Sequence, residues 1–140
     1  MHVGPGRIAR RLTLSTFELG QAVAALHHDG TSEVIGFEPG TKPPVRIDGF
    51  TVGAPLMERS APHRGELHPD GDELLYLISG RVNVILDDGD EATVGTETVE
   101  ALEPGQAFIV PQGVWHRVEV VEPSRFVHVT PGPRSAHRPL

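Results

Sequence analysis

The chain contains no cysteine. Disulfides, zinc ribbons, thiolate nucleophiles and thiol redox switches are thereby excluded, and any metal must be held by His, Asp or Glu. Aromatic residues are sparse, with one Trp, one Tyr and five Phe in 140 residues. No apolar run approaches the ~20 residues that a membrane span requires. The basic start MHVGPGRIARR lacks the apolar stretch of a secretory signal, so a cytoplasmic protein is the expectation, with no membrane partner. One segment lacks positive charge altogether: residues 87–103 (DDGDEATVGTETVEALE) carry seven acids and no base. That segment accounts for the whole net charge of −7. A charge confined to one hairpin reads as a solvated face. An acidic chain without a basic stripe is a poor partner for nucleic acid.

What is abundant is Gly and Pro, at 16 and 13 residues. No repeat accompanies them, so they indicate turns between short strands rather than collagen. The length suits one domain, residues 1–140, able to bury its own core. Residues 1–12 and 131–140 read as extended tails. Strand patterns dominate the middle. Glu73–Ile78 and Arg81–Leu86 are rich in Val, Ile, Leu and Tyr and are joined by Ser79-Gly80. DDGD at 87–90 is turn chemistry, with EATV and TVEAL as short strands of an edge hairpin. Ala107–Val110, Trp115–Val121 and Arg125–Thr130 complete the set, with Glu-Pro-Ser as a turn between the last two. Towards the N-terminus, LTLSTFELGQAVAALHHDG admits a helix capped at Ser15 or Thr16. The turn HDGT followed by SEVIGF favours a hairpin instead. Eight to eleven short strands at regular spacing, without a convincing helix, predict an all-β sandwich or barrel.

Two segments carry chemistry. In GELHPDGDELLYLISG, residues 65–80, Glu66 and His68 are two apart, so on a strand they share a face. Pro69-Asp70-Gly71 turns the chain, and Glu73 opens the next strand. Asp70 and Asp72 read as turn and solvent residues. In GQAFIVPQGVWH, residues 105–116, Pro111 and Gly113 form a turn and His116 lies on the strand that follows. Each feature is ordinary alone. The joint spacing, H-x4-E-x6-G and then G-x5-P-x-G-x2-H, is not.

These segments resemble the two motifs of the cupin superfamily, the first at 65–80 and the second at 105–120. The first matches at His68, Glu73 and Gly80, the second at Gly105, Pro111, Gly113 and His116. The resemblance implies a small double-stranded β-helix, or jelly-roll barrel, with one metal ion inside its mouth. Three positions depart from the pattern: Glu66 replaces the first histidine, Ser60 a glycine and Val120 the closing asparagine. Carried over by position, the ligand set is Glu66, His68, Glu73 and His116. Glu66 has three readings. As a ligand it gives two carboxylates and two imidazoles, favouring Fe²⁺ or Mn²⁺ and admitting Zn²⁺ or Ni²⁺. Placed behind the ligands, or acting as a base, it leaves His68, His116 and Glu73 as a two-His-one-carboxylate site with open positions, the pattern of non-haem iron oxygenases. Or it marks a site that no longer binds metal. His63 is a substitute ligand only if Gly65 bulges the strand.

Around the motifs, Trp115 is read as barrel packing or a pocket wall. Arg59 shares the strand parity of Met57 and is a candidate for a substrate carboxylate. Arg117 faces away. His128 is in phase with Phe126 and is a candidate for the inner wall. His27, His28 and His137 show no pattern.

Two functions are expected. One is a metal-dependent enzyme on a small organic substrate, either dioxygenase-like or a redox-silent isomerase or lyase with Glu66 or Glu73 as proton-transfer base. The other is a non-catalytic module that binds or senses a small molecule, with a structural metal or none. A homodimer is expected for so small a barrel with exposed strand edges.

Overall fold

The computed structural model of the chain describes residues 16–36 and 45–139. The N-terminal segment read as a tail, residues 1–12, lies outside them. The described residues form ten strands and no helix: β1 (Ala22–His27), β2 (Ser32–Gly36), β3 (Gly49–Gly53), β4 (Leu56–Met57), β5 (Gly65–Leu67), β6 (Glu73–Asp87), β7 (Glu97–Leu102), β8 (Ala107–Val110), β9 (Trp115–Gly132) and β10 (Ala136–Arg138). All pairings are antiparallel. The order β10-β5-β9-β3-β1-β2 forms one path, and β6 joins it through β9 while also pairing β7 and β8. This is the expected all-β jelly-roll architecture. Accordingly, among the described residues no helix is long and apolar enough to cross a membrane.

The N-terminal segment is a hairpin, as HDGT indicates. Ala22–Leu26 pair with Ser32–Gly36, Gly30 takes a φ of +89°, and Asp29 Oδ1 accepts the Thr31 N–H at 2.9 Å. The predicted edge hairpin is half correct. Glu97–Leu102 pairs with Val82–Asp87, but EATV forms no strand. Asp90 Oδ1 instead accepts the N–H groups of Ala92 and Thr93, and Asp88 Oδ1 that of Thr96. Carboxylates that satisfy backbone donors locally compete with a sheet ladder.

The long strands β6 and β9 are where the core is made. Along β6 the buried residues are Glu73, Leu75 and Leu77, then Val82 and Val84, with Ile85 and Asp87 buried towards its end. Strand side chains alternate, so the change from odd to even positions records a shift of phase. It falls at Gly80, where the register against β9 slips between Leu77 and Val82. The extra residue bends both strands and keeps both halves facing inward. The core consists of Leu75, Leu77, Val82, Val84, Leu102 and Val110, backed by Phe108, Val118, Val120 and Phe126. Each such aliphatic side chain withdrawn from water contributes roughly 1.5–3 kcal/mol. At the bend Gly80 has a φ of +89°, and a Cβ there would lie 2.4 Å from Pro123 O and 2.2 Å from Ser124 Oγ. The same Ser124 hydroxyl accepts the Arg81 N–H at 2.9 Å.

The C-terminal segment corrects the sequence expectation of a surface tail. Residues 136–138 form β10, antiparallel to β5. Arg138 is fully buried. Its guanidinium forms a two-point ion pair with Asp87, with Nη2 2.9 Å from Oδ1, and lies 4.5 Å above the Trp115 ring. Hydrogen bonding from Arg138 holds the Asp87 carboxyl below its usual range.

Two outcomes are expected in urea titrations followed by circular dichroism. Gly80→Ala should destabilise the fold by on the order of 2–3 kcal/mol, combining positive φ with a backbone clash. An unchanged midpoint would show that the bend does not need glycine. Arg138→Met should cost about 3–5 kcal/mol by leaving Asp87 buried and unpaired. The loss should shrink in the double variant Arg138→Met/Asp87→Leu, and equal losses in the two would refute the pairing argument.

Candidate metal centre

The site is assembled by strand pairing and by turns that dock on each other. Glu66 of β5 lies directly opposite His116 of β9. Pro69–Asp72 then turns the chain so that Glu73 opens β6. The Pro111–Gly113 turn packs against this one. Gly113 N–H donates to His68 O at 3.0 Å, Gln112 N–H to Asp72 Oδ1 at 2.8 Å, and Gln112 Nε2 to Pro69 O at 2.7 Å. Asp72 therefore ties the two motif segments together. Asp70 accepts from Arg134, at 2.7 Å from the backbone N–H and 2.9 Å from Nε. Both were expected to be mere turn and solvent residues.

The four predicted ligands meet. One donor atom from each of Glu66, His68, Glu73 and His116 lies within 4.8 Å of the others. His116 Nε2 is 3.0 Å from Glu73 Oε1 and 3.5 Å from Glu66 Oε1. His68 Nε2 is 3.1 Å from Glu66 Oε1 and 3.4 Å from Glu73 Oε2. His68, Glu73 and His116 are buried, and Glu66 is the outermost, with its side chain 17% exposed.

A shell of neighbours fixes each ligand. His116 Nδ1 faces Val114 O at 3.2 Å and His68 Nδ1 faces Ser135 Oγ at 2.8 Å, so both rings turn Nε2 inward. Thr130 O–H donates to Glu73 Oε2 at 2.6 Å. With its proton so used, the Thr130 oxygen accepts from His128 Nδ1 at 2.9 Å. His137 Nε2 lies 3.0 Å from Glu66 Oε2.

The electrostatics are mutual. Burial by itself would raise the two carboxyls, but hydrogen bonds from the imidazoles outweigh it. Glu73 falls to about 2, and Glu66, held by His116, His137 and His68, falls well below its usual range. Burial would lower His68 and His116, yet hydrogen bonds to Glu66 and Glu73 raise both, His116 to about 10. Two carboxylates and two imidazoliums sum to zero charge. Two carboxylates, two neutral imidazoles and a divalent cation do so as well. The donor set thus fits a dication that replaces two protons. The donor separations near 3 Å also match neighbouring ligands at bonds of about 2.1 Å.

The remaining candidates divide. His128 is on the inner wall, buried and linked to Glu73 through Thr130. Burial, then the Arg46 charge, lowers its pKa to about 4. Trp115 is buried beneath Arg138 and lines a cleft of about 330 Å³ with Leu86, Thr96 and Thr98, among others, none of them one of the four ligands. Arg59 does not point inward. β4 ends at Met57, so strand parity stops there, and Arg59 sits exposed at a bend. Arg117 does face away and pairs with Glu97. The departures at 60 and 120 are neighbours, since Ser60 Oγ accepts the Val120 N–H at 3.0 Å. Ser135, His137 and Thr130 are contacts that sequence reasoning missed. Only the alternation of His128 with Thr130 in RFVHVT carried any signal for them.

Comparison with known proteins agrees with this geometry. The family model described as Cupin domain matches residues 57–130. No match is found among curated proteins. Among solved structures, oxalate decarboxylase from Bacillus subtilis, studied for its Mn(II) centres, is similar with a TM-score of 0.51 at 22% identity. The similarity covers 64% of this chain and 24% of that one, so this chain spans about a quarter of the decarboxylase's length. A cupin-2 domain-containing protein from Shewanella frigidimarina gives a TM-score of 0.49 at 18% identity, covering 69% of this chain and 85% of that one. With more than half its length matched by the family model and its strands arranged as a jelly roll, the chain belongs to the cupin family.

Proposed function

We propose that the chain is a metal-dependent cupin enzyme acting on a small organic substrate, with one divalent ion held by Glu66, His68, Glu73 and His116. The observation that carries this reading is the convergence of four donor atoms, three of them on buried residues, with both imidazoles oriented through Nδ1. Of the three readings of Glu66, its position favours the ligand: Oε1 lies 3.1 and 3.5 Å from the two Nε2 atoms. Two carboxylates with two imidazoles suit Fe²⁺ or Mn²⁺. Such an ion supplies Lewis acidity towards a chelating oxygen substrate and, where redox-active, electron transfer with O₂.

The protein's own residues do the rest. Thr130 holds one Glu73 oxygen, which leaves Oε1 turned to His116. The buried wall of His68, Glu73 and His116 closes the inner side, so substrate must approach past Glu66. A carboxylate on that path, with Oε2 anchored on the partly exposed His137, is placed to orient a substrate beside the ion. The Glu66 carboxyl, held well below the usual range by hydrogen bonds from His116, His137 and His68, is a weak base, which supports the ligand role over the acid–base one.

Protein purified without a His tag and loaded with Mn²⁺ or Fe²⁺ should retain the metal after gel filtration, as read by mass spectrometry of the elements. Glu66→Gln should weaken retention by more than about tenfold, the scale on which even supporting residues affect metal sites. Wild-type affinity in Glu66→Gln would return Glu66 to a non-ligand role. Absence of bound metal in the wild type would end the enzyme reading.

The metal-free form has a defined pH response. His116, raised from 6.5 to about 10, adds stability that is complete below pH 6.5 and lost as pH rises towards 10. Glu73, lowered from 4.5 to about 2, adds stability that is present above pH 4.5 and lost as pH falls towards 2. His128, lowered from 6.5 to about 4, loses stability as pH falls below 6.5, so thermal melts in EDTA should peak near the top of the window the other two groups leave, at about pH 6.5. Metal competes with the imidazole protons, so its stabilising effect should grow above that window. A metal-free melting temperature that climbs from pH 6.5 to 9 would contradict the assignment.

A further inference from the structure

The ligand cluster has an outer neighbour. His63, Glu66 and His137 form a second group whose donor atoms lie within 4.8 Å of one another. It shares Glu66 with the inner group but none of the other ligands. Strand register explains the arrangement. β5 lies between β9 and β10, with Glu66 opposite His116 on one side and His137 on the other. Directly opposite residues of antiparallel strands project to the same face. A row His116–Glu66–His137 thus crosses three strands, with the carboxylate in the middle. Oε1 faces the inner imidazoles, while Oε2 faces His137 Nε2 at 3.0 Å. His63 joins from the preceding loop. The chain bends at residues 62–64 and Gly65 opens β5 with a φ of +154°, and the His63 ring meets His137 edge-on at a centroid distance of 5.3 Å.

We propose that this group is a second divalent-cation site, and that Glu66 bridges it to the inner ion, making the centre dinuclear. The proposal rests on the single-ion reading above and extends it. Two imidazoles and one carboxylate are a donor set suited to Zn²⁺, Mn²⁺ or Fe²⁺. The His137–Glu66 separation is again that of adjacent ligands at bonds of about 2.1 Å. The local cations that would compete for Glu66 are turned elsewhere. Arg64 donates to Pro139 O, and Arg138 is locked on Asp87. The group is open to water, with His137 29% exposed, so solvent completes the coordination and the outer ion exchanges more readily than the inner one. Binding has one local cost. His63 Nδ1 accepts the Gly65 N–H at 3.1 Å, and the ring must release that bond or turn over to present a free nitrogen. A shared carboxylate places two ions where both can act on one substrate, as two-metal enzymes do. The ligand class that fits such a pair is an anion with two oxygen donors.

The test is metal stoichiometry on the full untagged chain, titrated separately with Mn²⁺ and Zn²⁺ and read by elemental mass spectrometry. Two ions per chain are expected at saturation, the second binding more weakly. His137→Gln and His63→Gln should each reduce the count to one. With Mn²⁺, the six-line electron paramagnetic resonance signal should grow with the first equivalent and broaden or vanish with the second through spin coupling. Saturation at one ion for both metals, without spin coupling, overturns the second site and leaves the single-ion reading intact. No bound ion overturns both. Two ions that persist in both variants overturn the assignment to His63 and His137.

Discussion

Where β6 and β9 bend together, Gly80 carries its φ of +89° against Pro123 and Ser124, and no side chain fits in the space. The consequence reaches the candidate metal centre. Glu73 opens β6, whereas His116 is paired with Leu86 near the far end of the same strand. From residue 73 to residue 86 a straight strand would span roughly 40 Å. Yet Glu73 Oε1 and His116 Nε2 are 3.0 Å apart. Only a strand pair that curls back over itself brings them together. The bend makes that curl possible, and the phase shift it introduces keeps apolar residues inward on both sides. Barrel closure, core formation and ligand convergence thus follow from one constraint on the backbone.

The charges gathered by that closure cannot stand alone. Two carboxylates in a largely buried site need compensation, since an unpaired buried ion is strongly unfavourable. Protons on His68 and His116 provide it in the metal-free protein, which is why the histidines are raised and the glutamates lowered. A divalent cation provides the same compensation with one particle. The charges of the site balance in either case. Glu73 is the best-secured member, gripped by Thr130 on one oxygen and facing His116 with the other. Glu66 is the least buried, and its three partners are all imidazoles: His68, His116 and His137.

How much of this was legible in the sequence follows the length scale of each feature. Local periodicity exposed most strands, the HDGT hairpin and the turns at Pro69–Gly71 and Pro111–Gly113. The paired spacing of His68, Glu73, Gly80, Gly105, Gly113 and His116 carried the resemblance to the cupin motifs, and that resemblance implied the four candidate ligands that the fold brings together. What escaped was set by distant pairing. PGPRSAHRPL has no strand period and reads as a tail, yet Ser135, His137 and Arg138 each make a contact around the site or beneath it. Arg59 failed for the opposite reason: parity was extended past the end of a two-residue strand. EATV failed because Asp88 and Asp90 satisfied the backbone before a ladder could.

The replacement at position 66 then takes on a physical meaning. β10 lies against β5 and places His137 across from residue 66, so whatever stands there is flanked by imidazoles on both sides. A histidine at 66 would add a third ring to that row and would bring no negative charge to it. The two oxygens of a glutamate accept from opposite sides at once, and its charge offsets the positive charge that either imidazole or metal brings. The carboxylate at 66 and the strand formed by the C-terminal segment are in this sense one feature, because Glu66 is well matched to its place only when His137 is there to meet it.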